Sequence, residues 1–312
     1  MSLRRPAFTE LFDALEEFTP ERQSVYVYGT TPEERSAHSA EWESRASDVT
    51  FVRLAGADRH SATFVEGHLE HALSLRDLAG LKAFWQQYSR RLTYLDITGL
   101  GHHVWAPLLR AALAVSRDVR VVYVEPTDYT QSGAPTEGEI FDLSERISGI
   151  APIPGFASLA LGDDDDFYLV TLLGFEGTRL SYLLENVQPL AGRIVPVVGV
   201  PGFRAEYPFY AYHGNKSPLR DSRAWTAVRY VTANCPFRLF YALEDLAQQL
   251  PSPIKVAPIG TKPHSVGAVL YAIDQQASVE IVYDHPIRTA KRTIGASRAL
   301  VYHVAPLITR GP

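Results

Sequence analysis

The segment Ile254–Pro286, IKVAPIGTKPHSVGAVLYAIDQQASVEIVYDHP, decides the fold class. Its first six residues form an apolar run of the length and composition typical of a buried strand, and Val279–Tyr283 has the composition of a second strand. Between them, a tight loop at 260–264 leads into a helix of small residues at 265–273. A strand that turns directly into a helix and then into another strand indicates an α/β fold.

The same order of elements occurs earlier in the chain, at Leu92–Pro126, LTYLDITGLGHHVWAPLLRAALAVSRDVRVVYVEP. The matching positions, about 160 residues apart, are Gly99 with Gly260, His103 with His264, Ala111 with Ala272 and, after one gap, Tyr123–Pro126 with Tyr283–Pro286. We interpret this repetition as an internal duplication. It predicts two Rossmann-like halves, residues 1–150 and 151–312, each with a mostly parallel sheet.

The composition bounds the class of protein. A chain of 312 residues that is 46% hydrophobic can bury a large core. Its net charge of −5 provides no basic field that would draw it to nucleic acid or to an anionic membrane. The single cysteine, Cys235, excludes an intramolecular disulfide and a cysteine-based metal cluster. Acidic residues interrupt the N-terminal segment and no apolar run reaches membrane-spanning length, so we expect a soluble, cytoplasmic protein with no membrane contact.

Further elements are expected outside the repeated segments. The sequence predicts a short amphipathic helix at 7–18, a mostly helical segment at 63–89 and a helix at 222–234. The aromatic, proline-rich stretch 200–216 is expected to be a long functional loop. Residues 127–166 are rich in glycine, proline and acidic residues, so we place the boundary between the halves there. We interpret Asp163–Asp166 as a solvated linker rather than a metal site.

Candidate functional residues follow the predicted strands, because ligands of open α/β sheets sit at the carboxyl ends of the strands. Gly260–Lys262 offers backbone N–H groups, a helix N-terminus and a lysine at one point, which suits a phosphate. The candidate catalytic residues are His103, His264 and Asp284. The candidate ligand-binding residues are Asp96, Gly99, Glu176, Arg179, Gly260, Thr261, Lys262 and His285.

Each candidate also has a structural interpretation. The histidines can cap or pack at helix starts, Asp96 can cap the next helix, and Glu176 with Arg179 can be a helix-face ion pair. The chain lacks G-x-x-x-x-G-K-[ST] and a G-x-G-x-x-G after a strand, which disfavours a P-loop NTPase and a classical NAD-binding protein. It also lacks G-x-S-x-G and H-E-x-x-H, so no catalytic motif, no metal site and no particular cofactor is predicted.

The residues Asp96-Ile-Thr-Gly99 and Gly260-Thr-Lys262, each before a helix, resemble the strand-turn-helix motif of CRISPR-associated Rossmann-fold (CARF) domains. The resemblance covers two stretches of about 30 residues. It departs from that family because the elements are divided between the two halves and no nuclease domain is recognisable. CARF domains sense cyclic oligoadenylates or related nucleotides, usually as twofold dimers. The resemblance therefore implies a nucleotide sensor of a prokaryotic defence system.

Three functions remain open on the sequence. The first is a sensor that holds a nucleotide or another phosphorylated ligand in a cleft at the carboxyl ends of the strands and signals to a possible protein partner. The second is a nucleotide-processing hydrolase or phosphodiesterase, in which His103 or His264 exchanges protons and Lys262 stabilises negative charge. The third is a scaffold in which all the candidates only cap and pack.

Overall fold

The computed structural model describes residues 8–136, 138–158, 166–275 and 278–308, so Asp163–Asp165 lie outside the described residues. The chain forms two compact units. Unit 1 comprises Met1–Tyr129 and Thr293–Pro312, and unit 2 comprises Thr130–Arg292. This division differs from the boundary expected at 150/151. Residues 144–147 pair with residues 286–288 inside unit 2, and the C-terminal residues 299–303 pair with residues 120–124 inside unit 1.

The described residues form both strands and helices. The strands are β1 (Phe8–Phe12), β2 (Val25–Tyr28), β3 (Thr50–Ala57), β4 (Ser61–Glu66), β5 (Leu69–Ser74), β6 (Thr93–Asp96), β7 (Val119–Val124), β8 (Asp128–Tyr129), β9 (Gln131–Thr136), β10 (Glu139–Phe141), β11 (Ser144–Ile147), β12 (Ala151–Pro152), β13 (Tyr168–Leu172), β14 (Ile194–Gly199), β15 (Arg229–Val231), β16 (Ile254–Pro258), β17 (Val279–Tyr283), β18 (Pro286–Arg288), β19 (Thr293–Ile294) and β20 (Ala299–His303). The α-helices are α1 (His38–Arg45), α2 (Leu78–Gln86), α3 (His102–Val115), α4 (Gly177–Val187), α5 (Tyr207–Gly214), α6 (Lys216–Asp221), α7 (Pro236–Gln249) and α8 (Lys262–Asp274). Short 3-10 helices cover Leu15–Glu17, Glu34–Ser36, Ala224–Ala227 and Ala305–Leu307.

Unit 1 contains an eight-stranded mixed sheet in the order β1-β20-β7-β6-β2-β3-β4-β5. Its four central strands, β7, β6, β2 and β3, are parallel. The flanking strands pair antiparallel on both sides. Aromatic side chains, among them Phe18, Tyr26 and Trp42, form part of its core. The α/β class is thus confirmed, although only the centre of this sheet is parallel.

Unit 2 contains a six-stranded sheet in the order β12-β17-β16-β13-β14-β15. Every neighbouring pair is parallel except β12 with β17. Strand order therefore reverses between β13 and β16, where the chain winds first to one side and then to the other. Separate apolar clusters include Leu180 with Val198 and Leu183 with Val282.

The small residues of α8 allow a close helix contact. A Cβ at Gly267 would lie 2.4 Å from the carbonyl oxygen of Pro236, the first residue of α7. The backbones of α7 and α8 therefore approach more closely than two ordinary side-chain surfaces permit. No helix among the described residues combines the length and the apolar character that crossing a bilayer requires.

Four local predictions were wrong. Residues expected as a helix at 7–18 form β1 and a 3-10 helix, and the first part of 63–89 belongs to the hairpin β4–β5. In β4, buried Ala62 and Phe64 alternate with less buried residues, and Gly67 turns the chain with a φ of 57°. The stretch 200–216 forms α5 and starts α6, whereas 222–234 contains a 3-10 helix and β15. The sequence signal for the hairpin is the alternation of buried and less buried residues with a period of two. Helical periodicity that is read in a short window does not reliably separate a helix from a strand.

A substitution at Gly99 tests the close approach of two strand ends in unit 1. Its Cβ would lie 1.8 Å from the carbonyl oxygen of Gly29, a backbone atom at the end of the neighbouring parallel strand. We expect Gly99→Ala to lower the free energy of unfolding by about 1–3 kcal/mol, measured by urea denaturation with circular dichroism. Gly56→Ala is the matched control and should change stability by less than about 0.5 kcal/mol, since no described residue other than its two chain neighbours comes within 4 Å of its Cβ. Equal stabilities for the two variants would contradict this packing.

Candidate functional site

The predicted residues divide between the two units. Asp96, Gly99 and His103 belong to unit 1, and the other predicted residues belong to unit 2. Those of unit 2 are Glu176, Arg179, Gly260, Thr261, Lys262, His264, Asp284 and His285. In each unit they follow the carboxyl ends of parallel strands, which is the edge where the sequence analysis expected them.

Asp96 is buried and its carboxylate joins three elements. One oxygen, Oδ2, accepts hydrogen bonds from the Tyr26 hydroxyl at 3.0 Å and the Ser39 hydroxyl at 2.6 Å. The other, Oδ1, accepts from the backbone N–H of Thr98 at 2.8 Å. The carboxylate therefore links β2, α1 and the turn after β6, and this geometry favours the structural interpretation of Asp96.

His103 occupies the second position of α3. Burial lowers the pKa of its ring, and the charge of Asp58 offsets part of that effect. The ring also lies within 2.8 Å of where a Cβ at Gly101 would sit. A neutral, half-buried ring is available to pack at the start of α3, while its predicted role in catalysis stays a prediction.

The turn Gly260–Lys262 is closely packed. A Cβ at Gly260 would lie 2.4 Å from the carbonyl oxygen of Leu173, so its backbone is close to the end of β13. The Thr261 hydroxyl accepts from the N–H of His264 at 3.3 Å and donates to the carbonyl of Ala233 at 2.9 Å. Pro263 has no N–H, so the first turn of α8 has few amides left for an anion. Lys262 is half-buried at its first position.

His264 is fully buried beneath this turn. Its Nε2 lies 3.0 Å from the carbonyl oxygen of Thr232, an arrangement in which a neutral ring donates through Nε2–H. Burial lowers the pKa of His264 to about 4, which keeps the ring uncharged near neutral pH. The ring thereby joins α8 to the segment between β15 and α7.

A buried ion pair joins Arg179 to Asp284. The Arg179 Nε and Nη2 atoms each lie 2.7 Å from one oxygen of the Asp284 carboxylate, and Nη1 donates to the carbonyl of Ile259 at 2.8 Å. Burial alone would raise the pKa of Asp284, but Arg179 more than offsets this and leaves it below its ordinary value. The bidentate pair connects the start of α4 with the ends of β16 and β17.

Two further predicted residues hold loops. The carboxylate of Glu176 accepts from the N–H of Leu143 at 3.0 Å and from the Ser144 hydroxyl at 2.9 Å. His285 adopts a φ of 43°, and its Nε2 lies 3.3 Å from the carbonyl of Ala151. Because the side chain of Glu176 contacts Leu143 and Ser144, it does not cap α4, of which it is the N-cap residue.

A polar cavity of about 600 Å³ opens at the N-terminal part of α4. It is lined by Gly138, Glu139, Gly177, Thr178, Ser181, Tyr182, Glu185, His213, Gly214, Lys216, Ser217, Pro218 and Arg220. A Cβ at Gly177 would lie 1.9 Å from the carbonyl oxygen of Gly214, so the α5–α6 junction forms a wall against the helix start. Buried Asn215 fixes that junction by donating to the carbonyls of Gly174 at 2.7 Å and Ala211 at 2.8 Å.

The sequence analysis did not identify this cavity. Three separate segments build it, and its hydroxyl and cationic side chains belong to no motif. The aromatic content of 200–216 was the one signal, and it pointed to part of the lining. Among the residues that the structure describes, no group of three His, Cys, Asp or Glu side chains is arranged to hold a metal ion.

The buried state of His264 predicts a pH dependence of stability. The pKa is about 4 in the folded protein and about 6.5 when unfolded, so the unfolded state binds the proton first as pH falls. This residue should therefore remove about 2 kcal/mol of unfolding free energy between pH 7 and pH 5. Urea denaturation of His264→Gln at pH 7 and at pH 5 should therefore show a free energy of unfolding that lacks this difference between the two pH values. Exposed His68→Gln is the control, and an unchanged pH dependence in His264→Gln would argue that the ring is accessible.

Removing the charge of Asp284 tests the buried ion pair. Asp284→Asn leaves the Arg179 guanidinium buried without a counter-charge, which should cost about 3–5 kcal/mol in urea denaturation. The depressed pKa of Asp284 means that its contribution is present above about pH 4 and is lost as pH falls below that. Glu206→Gln, in the exposed pair with Arg204, should cost less than about 1 kcal/mol. A loss no larger than the control's would show that solvent reaches Arg179.

No protein-family model matches this chain, and neither does any curated protein.

Proposed function

We propose that unit 2 binds a nucleotide or another phosphorylated small molecule in the polar cavity. The observation that carries this proposal is the start of α4, which has no side-chain cap among the described residues and opens into a cavity that also presents Lys216 and Arg220. The N–H groups of a helix N-terminus and the helix dipole favour an anion. Charge-assisted hydrogen bonds from the two cations would strengthen its binding.

The other polar groups of the cavity fit the sugar of a nucleotide. Thr178 and Ser181 offer hydroxyls on the first turns of α4. Glu139 and Glu185 also line the cavity, and Glu185 lies more than two turns beyond Gly177 along the helix. Carboxylates commonly accept hydrogen bonds from ribose hydroxyls. A ligand with its phosphate at the helix start and its hydroxyls further along α4 would match this distribution of charge.

The topology of unit 2 supports the same location. Its parallel strands lie in the order β15-β14-β13-β16-β17, which is 3-2-1-4-5 in chain order. Rossmann folds share this order and bind phosphate at the N-terminus of the helix that follows the first strand. In unit 2 that helix is α4, which follows β13. Our proposal therefore includes the Rossmann-like fold that the sequence predicts for this half of the chain.

The predicted internal duplication is supported by three correspondences. The parallel order β3-β2-β6-β7 in unit 1 corresponds to β14-β13-β16-β17 in unit 2. Close backbone approaches recur between Gly29 and Gly99 and between Gly174 and the Ile259–Gly260 backbone. The third correspondence concerns two buried arginines. Arg35 donates to the Tyr123 hydroxyl at the end of β7, at 3.0 Å, and Arg179 donates to the Asp284 carboxylate at the end of β17.

In this proposal the protein is a sensor of the nucleotide rather than an enzyme that converts it. His264 and Asp284, two of the three candidate catalytic residues, are buried and engaged with backbone or arginine partners. The resemblance to CARF domains adds cyclic oligoadenylates and related nucleotides as the expected ligands, a defence role and a possible protein partner. The hydrolase that uses His103, His264 and Lys262 is the alternative, and chromatography of a nucleotide incubated with the protein separates the two, since a sensor leaves it intact.

Charge removal tests the location of the anion. Lys216→Ala and Arg220→Ala should each weaken binding of 5′-AMP by about 1.5–3 kcal/mol in isothermal titration calorimetry, as expected for loss of a charge-assisted hydrogen bond. Arg238→Ala, an exposed arginine on α7, is the matched control and should leave affinity unchanged.

Lys262→Ala distinguishes the two predicted anion positions. It should have little effect if the phosphate lies at α4, and it should weaken binding by about 1.5–3 kcal/mol if the phosphate lies at the turn before α8. Loss of binding in Lys262→Ala, with full affinity in Lys216→Ala and Arg220→Ala, would move the site to that turn.

A further inference from the structure

A second cavity of about 790 Å³ adjoins the polar cavity in unit 2. The two share the lining residues His213, Lys216 and Arg220, so they neighbour each other at these side chains. The remaining lining of the second cavity consists of apolar and aromatic side chains: Ile140, Phe209, Tyr210, Tyr212, Leu219 and Trp225. We call this second space the aromatic cavity. Its chemistry complements that of its polar neighbour, because one offers flat apolar surface and the other offers hydrogen bonds and charge.

The aromatic cavity leaves two large rings in contact with water. Phe209 is 74% exposed and Trp225 is 61% exposed, which is far above the burial usual for these residue types. Both line one concave surface. Exposed aromatic surface in a concave site rimmed by polar groups is typical of ligand-binding sites.

Other rings hold the cavity in shape. Tyr210 packs against Phe141 and Phe175, with ring centroids 5.2 Å and 6.0 Å apart. The hydroxyl of Tyr212 lies 2.5 Å from that of Tyr230, so a hydrogen bond joins α5 to β15. These contacts position part of the wall before any ligand arrives, which lowers the entropic cost of binding.

We propose that the aromatic cavity holds the base of a nucleotide whose phosphate lies in the polar cavity, an inference that rests on the proposed function. A nucleobase stacks on aromatic rings through its flat π-face, and a neighbouring arginine can add a cation–π contact. Lys216 and Arg220 lie in the lining of both cavities, so one ligand can place its base on one side of them and its phosphate on the other. The preferred ligand is therefore a nucleotide rather than a sugar phosphate or inorganic phosphate.

Tryptophan fluorescence of the full chain gives a direct test. Three of the four tryptophans, Trp42, Trp85 and Trp105, are at most 1% exposed, so acrylamide should quench mainly Trp225. Saturating 5′-AMP should change the emission of Trp225 and reduce its quenching by acrylamide, whereas saturating ribose 5-phosphate should leave that quenching unchanged. The affinity for 5′-AMP should exceed that for ribose 5-phosphate by about tenfold or more, because base stacking adds to binding.

Substitutions provide the matched comparison. Trp225→Ala and Phe209→Ala should each weaken the binding of 5′-AMP by about tenfold and leave the affinity for ribose 5-phosphate unchanged. Trp225→Phe should retain most of the affinity for 5′-AMP. Leu190→Ala removes an apolar side chain of unit 2 that is 47% exposed and lies outside the lining, so it should change neither affinity.

The outcomes separate the two proposals. If ribose 5-phosphate and 5′-AMP bind equally tightly and both depend on Lys216, the base site is wrong and the phosphate site stands. If neither compound binds, the proposed function itself fails. Protection of Trp225 that rises with protein concentration in the absence of nucleotide would also overturn the base site, because it would show that a second copy of the chain covers the aromatic cavity.

Discussion

The ends of neighbouring strands are in direct backbone contact, and this contact constrains the turns that follow the strands. In unit 2, Gly260 lies so close to the carbonyl of Leu173 that any side chain would collide, and Gly99 meets Gly29 in the same way in unit 1. Parallel strands end at one edge of the sheet, where ligands of α/β proteins usually bind. At this edge the turns after the strands touch through their backbones, and the polar cavity of unit 2 opens beside them, at the N-terminal part of α4.

The charged side chains Arg179, Asp284 and Asp96 at this edge bind partners within their own unit. The pair of Arg179 and Asp284 is buried, and removing two charges from water is stabilising only when the pair is well matched and its other donors are satisfied. The bidentate geometry and the carbonyl of Ile259 provide that match. The carboxylate of Asp96 is likewise occupied by the Tyr26 and Ser39 hydroxyls and the Thr98 N–H. Polar residues at strand ends have the same sequence signature whether they hold a ligand or hold the fold.

The two cavities arise where this packing stops. Glu176 contacts Leu143 and Ser144 instead of capping α4, and the α5–α6 junction touches Gly177 through the carbonyl of Gly214. The helix start is consequently left without a side-chain cap in the described residues, beside Lys216. The same α5–α6 segment carries aromatic rings into the neighbouring cavity. One segment of chain thus determines both the polar and the apolar side of the candidate site.

The sequence by itself determined the α/β class and the two strand-turn-helix-strand segments, because buried parallel strands and the glycine turns after them have strong local patterns. It also located its candidate residues at the strand ends. Only the tertiary structure decided that β20 returns to β7 and that Lys216, Arg220 and Trp225 line adjoining cavities. Strand pairing and cavity walls join residues that are distant in the chain. Burial decides whether a histidine such as His264 faces a ligand or the core, and burial is a property of the packed molecule rather than of its local sequence.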